Sequence, residues 1–133
     1  MTPVGPTPGA AARVVARRRA ERERLLDLAR SYVADLDPDL GVTAAVVVGS
    51  VARGDFNIWS DVDVLVLAEH LPSGWWDRLV RLHQGAPPGL SLVPWTAEEF
   101  GAKLARRDIL ATEAVEHGVL LVGALPADPE SRR

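Results

Sequence analysis

Residues 46–67 read VVVGSVARGDFNIWSDVDVLVL, and this stretch decides the fold. Two apolar runs flank a polar connection. Gly49-Ser50 closes the first run, and Asp61 and Asp63 stand at the start of the second. The β-branched run 42–49 has the composition of a buried strand. Residues 50–54 can hold one helical turn that starts at Ser50 and ends at Gly54. Residues 56–60 read as a loop and 61–67 as a second strand. On a strand, positions i and i+2 project to one face, so Asp61 and Asp63 lie side by side with Cα atoms about 6.6 Å apart. Two like charges there repel by about 2–3 kcal/mol at an effective dielectric near 20. A strand tolerates this at a solvent-facing end, or where the pair shares a cation. Mg²⁺ takes carboxylate oxygens and keeps positions open for substrate phosphates, and paired ions suit in-line phosphoryl chemistry. The spacing alone also fits a loop cap followed by a solvent-facing residue.

Gly49-Ser50 adds weight to the cation reading. Backbone N–H groups at the start of a helical turn can cradle an anion, and the absent side chain of Gly49 permits close approach. The Ser50 hydroxyl can add a hydrogen bond, and Arg53 falls near the same turn. Neither the Walker P-loop nor the dinucleotide-binding glycine pattern is present.

Together these residues spell Gly49-Ser50, ten residues from Val51 to Ser60, then Asp61-Val62-Asp63. Ala52-Arg53-Gly54 follows the first pair and Ser60 precedes Asp61. This resembles the nucleotidyltransferase superfamily typified by DNA polymerase beta, and most of all its minimal, MNT-type, domains, whose signature is GSx10DxD. The resemblance covers roughly 42–123. It implies that Gly49 and Ser50 hold the β- and γ-phosphates of a nucleoside triphosphate, with Arg53 and Gly54 shaping the loop beside them. It implies catalytic Asp61 and Asp63 binding Mg²⁺, or Mn²⁺ in its place. The implied reaction moves a nucleoside monophosphate, AMP from ATP, to a hydroxyl of a protein, RNA or small molecule and releases pyrophosphate. The family usually carries a third carboxylate on the next strand. Here Ser91 in LSLVPWTAEEF (90–100) stands at that place, and a hydroxyl is a weak Mg²⁺ ligand and no general base. The alternative function is therefore a weak or inactive nucleotide- or partner-binding module. It would be one half of a toxin–antitoxin-like pair, beside a separate helical protein partner.

Outward from this stretch, apolar residues at three- and four-residue steps from Arg13 to Asp35 predict a helix, stopped by DPDLG at 37–41. Val14, Leu25, Leu28, Ala29, Tyr32, Val33 and Leu36 form its apolar set. Residues 72–84 predict a helix with Leu79, Val80 and Leu82 inward. Residues 90–95 predict a third strand, in which Pro94 demands an edge or an end. Thr96 and Glu99 match a capping box opening a helix through Ala105. This leaves Glu98 and Glu99 outside the chemistry, and Asp55 reads as a turn residue. A helix over 108–117 ends at Gly118, a suitable left-handed cap. Residues 119–123 predict a last strand. The fold class is α/β in the α+β sense: a small mixed sheet with helices packed on it. Residues 1–12 are expected to be a disordered arm, 13–123 the domain and 124–133 a flexible tail.

The 133 residues suit one domain, and 47% are apolar. The formal charge of -3 exerts no general pull toward nucleic acid or membrane. Absence of Cys excludes disulfides and thiolate metal sites. The opening residues do not form a signal peptide and no segment is long enough to span a bilayer, so a cytoplasmic location is expected. His70, His83 and His117 show no ligand spacing. Trp59 lies beside the acids and is the best of four tryptophans for stacking a base, although packing suits any of them. The arginines at 13, 17, 18, 19, 22 and 24 are interrupted by Glu21 and Glu23, which favours a solvated helix face over an RNA-binding one.

Overall fold

The computed structural model describes residues 8–57 and 59–126. The two apolar runs form β1 (Val42–Val48) and β2 (Val62–Ala68), which pair antiparallel. Covered on both faces, they read as continuous apolar runs instead of alternating ones. Between them lies one short helix, α2 (Gly49–Arg53). Around this unit the chain forms α1 (Pro8–Ala34), a 3-10 turn (Pro38–Leu40), α3 (Trp75–His83), β3 (Leu90–Trp95), α4 (Ala97–Ala105), α5 (Ile109–His117) and β4 (Val119–Gly123). The sheet order is β3-β2-β1-β4. Among the described residues only the β2–β3 pair is parallel, with α3 in its crossover. This is the mixed α+β architecture that the pattern predicts, and Pro94 lies on an edge strand.

Strand alternation divides the core into two layers. Ala45, Val47, Val64 and Val66 face Leu26, Ala29 and Tyr32 of α1 and Leu82 of α3. Ala44, Val46, Val48, Leu65 and Leu67 face Trp95, Phe100, Ala111 and Ala114.

Several local expectations are corrected. The first helix starts at Pro8 instead of Arg13, so residues 8–12 of the expected arm are helical. Proline suits a first helical position and alanines follow it. Residues 1–7, and 127–133 of the expected tail, lie outside the described residues; Leu125 packs partly against the second core layer. Val14 is exposed, and the buried residues of α1 begin at Leu26. In α3 the buried stripe is Arg78 and Leu82, one turn apart, while Val80 is exposed. Burial of Arg78 is tolerated because Nε donates to the Pro72 carbonyl at 2.6 Å and an Nη1 group to Glu99 Oε1 at 2.6 Å. Gly118 has φ -65, so it is not a left-handed cap. A Cβ there would strike the Ala114 carbonyl and Val46, and close packing of α5 on β1 requires the glycine.

Candidate functional site

Val48 faces Asp63 across the β1–β2 pair. The next residue, Gly49, turns the chain from β1 into α2 with φ +75, and a Cβ on it would overlap Asp63 Oδ2. Glycine is thus required twice, for the left-handed backbone and for the approach of the carboxylate. Ser50 is half-buried in the same turn, and its carbonyl accepts the N–H groups of Gly54 at 2.8 Å and Asp55 at 3.0 Å. Gly54 closes α2 at φ +88 with open space around it. Antiparallel return of β2 brings the two halves of the signature together, Gly49 against Asp63. Asp61 lies just before β2 and is exposed.

Asp63 is half-buried, and burial foremost holds its carboxyl above the usual range. A hydrogen bond from the Ser91 hydroxyl acts against this, the charges of Asp61 and Glu113 add to it, and Arg53 offsets it in part. Ser91 is the β3 partner of Asp63 in the parallel register.

Glu113 was missed in the sequence. Its Oε1 accepts the Gly49 N–H at 3.2 Å and also meets Arg53 Nη1. No motif spacing marks it. Its one signal is an acid flanking Ala114 on the buried alanine stripe of α5. Arg53 further pairs with Asp55 at 3.2 Å, so Asp55 is an ion-pair partner as well as a loop residue. Beside Arg53 and Glu113 opens a cavity of about 770 Å³, with Arg107, Thr112, Glu116 and His117 on its walls.

Among the described residues no group of three or more His, Cys, Asp or Glu is arranged to hold a metal ion. Two neighbouring carboxylates, one of them exposed, fit an ion that completes its shell with substrate oxygens, as Mg²⁺ does; they do not make an all-protein cage. Glu99 completes the capping box with Thr96, accepts the Thr96 N–H at 2.8 Å and pairs with Arg78. Trp59 is 85% exposed in a loop held by Asn57, whose Oδ1 accepts the Trp59 N–H at 2.8 Å. Of the N-terminal arginines, Arg24 pairs with Glu21 of its own helix, as a solvated face would, whereas Arg18 and Arg22 depart from that expectation and reach backbone carbonyls between Val51 and Phe56.

A family model described as nucleotidyltransferase domain matches residues 26–117, from mid-α1 to the end of α5. No curated protein matches the chain in sequence. A nucleotidyltransferase candidate from Sulfolobus solfataricus superposes with a TM-score of 0.59 at 19% identity, over 77% of this chain and 84% of that one. This likeness shows the shared fold. Two toxin–antitoxin structures superpose less well. One, with AMP-PNP, has a TM-score of 0.46 at 19% identity, over 71% of this chain and 73% of that one. The other, a MntA–HpeT mutant, has 0.42 at 17% identity, over 77% and 73%.

Proposed function

Because the chain belongs to the nucleotidyltransferase domain family, we propose that it transfers a nucleoside monophosphate, AMP from ATP, to a hydroxyl acceptor. The acceptor oxygen bonds to the α-phosphorus as the bond to the β-phosphate breaks, pyrophosphate leaves, and the hydroxyl proton passes to water. The observation that carries this reading is the convergence of Gly49-Ser50 with Asp63, next to Asp61, at one end of the β1–β2 pair. Gly49 and Ser50 receive the terminal phosphates on backbone N–H groups and the Ser50 hydroxyl. Arg53 neutralises phosphate charge, and Gly54 lets the loop turn away. Asp61 and Asp63 hold Mg²⁺, or Mn²⁺, which supplies charge neutralisation at the α-phosphate when bound. ATP titrated calorimetrically with and without Mg²⁺ tests the reading. Binding should depend on the metal and vanish in the Asp61→Ala/Asp63→Ala double variant. Transfer should be lost in Asp63→Ala with the fold intact; equal turnover in that variant would sink the assignment.

Ser91 opposite Asp63 favours a second reading. In it the domain binds nucleotide with little transfer and works beside a separate helical protein partner, as one half of a toxin–antitoxin-like pair. Ser91→Asp discriminates the two. A large gain in transfer marks a weakened enzyme, whereas no transfer in either form supports the binding role. Among the described residues no helix is long and apolar enough to cross a membrane.

A further inference from the structure

The helix that carries Gly49 and Ser50 is five residues long, too short to hold its own shape. Its carbonyls at Val51 and Ala52 need partners from elsewhere. Arg22 of α1 supplies both: Nε donates to the Val51 carbonyl at 2.9 Å and an Nη2 group to the Ala52 carbonyl at 2.9 Å, in part-buried contacts. One turn earlier, Arg18 donates to the Phe56 carbonyl at 2.6 Å and the Gly54 carbonyl at 3.3 Å. Its guanidinium lies 4.6 Å over the Phe56 ring. Leu26 and Ala29 anchor the next turns of α1 in the core. Core packing is thus transmitted through two guanidinium groups to the open end of α2. Their positive charge also complements the carbonyl end of that helix.

We propose that Arg22, backed by Arg18, is a positioning residue that fixes α2 and thereby aims the Gly49–Ser50 amides. The consequence for ATP rests on the reading of that turn as a triphosphate cradle. The planar fork of Arg22 meets two carbonyls at once with donors held in fixed geometry, which the single rotatable ammonium of a lysine does not reproduce.

Hydrogen exchange across residues 49–56 in the nucleotide-free protein tests the bracing directly. Arg22→Gln should speed exchange there about tenfold, and weaken MgATP binding about tenfold by calorimetry, for the loss of two charge-assisted bonds. Arg22→Lys keeps the charge and should show a large part of the same loosening. Arg24→Gln, from the exposed face of α1, should change neither quantity. Leu82→Val, on the buried face of α3, should lower thermal stability without local exchange or ATP effects beyond it. Unchanged exchange at 49–56 in both Arg22 variants overturns the proposal. So does equal weakening of ATP in Leu82→Val at a matched loss of stability. Failure of the wild type to bind ATP would instead overturn the triphosphate reading, while the exchange data still decide the role of Arg22.

Discussion

Ser91 on β3 stands opposite Asp63 on β2 in parallel register, and its hydroxyl acts to lower the Asp63 carboxyl against the burial that raises it. A hydrogen bond to the charged form favours ionisation, so Ser91 partly counters the burial that pushes the Asp63 carboxyl up. Removing it should push that carboxyl higher still. Carboxyl titration by NMR should find Asp63 protonating at higher pH in Ser91→Ala than in the wild type. No change would mean the hydroxyl is turned elsewhere in solution.

Glu113 occupies the donors that the proposed triphosphate needs, the Gly49 N–H and Arg53. A neutral side chain releases Arg53 and removes a negative charge from the path of an anion. Glu113→Gln should therefore tighten ATP binding, about three- to tenfold on the scale of one or two hydrogen bonds. Calorimetry reads this directly. Weaker binding would assign Glu113 to the support of the cation.

Gly49 and Gly54 both have positive φ, yet their substitutions should differ. At Gly54 a Cβ meets open space, so Gly54→Ala costs about 1–2 kcal/mol of backbone strain. At Gly49 a Cβ also overlaps Asp63 Oδ2. Urea unfolding should show a larger loss for Gly49→Ala, and ATP binding should weaken more in that variant than in Gly54→Ala.

Tyr32 is the single tyrosine of the chain. Its hydroxyl donates to the Leu82 carbonyl at 2.7 Å, and burial pushes its pKa up to about 12 from 10.0. Between these two values the unfolded chain has lost the phenolic proton and the folded one keeps it. Stability from this group is therefore complete below pH 10 and falls as pH rises toward 12, by on the order of 2–3 kcal/mol. Tyr32→Phe should flatten that limb of the stability curve. Tyrosinate absorbance should appear together with unfolding instead of ahead of it.

Much of the fold was legible because its signals are local. Runs of valine, the capping box at Thr96 and Glu99, the signature spacing and the edge or end position implied by Pro94 each depend on neighbours within a few residues. Helix and strand propensity and alternation act at that range. From these the sequence by itself determined a mixed sheet with helices and the pairing of Gly49-Ser50 with Asp61 and Asp63 as one motif. The antiparallel direction of β1 and β2 was not determined, because a connection of that length permits either hand. Nor was the identity of the groups that close around the turn. Glu113 reaches Gly49 across 64 positions, and Arg22 reaches Val51 across 29. Arg78 is buried against Glu99 and Pro72 while Val80 is exposed, the reverse of what their polarity suggests. Only the tertiary structure decided these, because a charged side chain turns inward where distant carbonyls and carboxylates already wait to pair with it, and that is settled by which elements pack together.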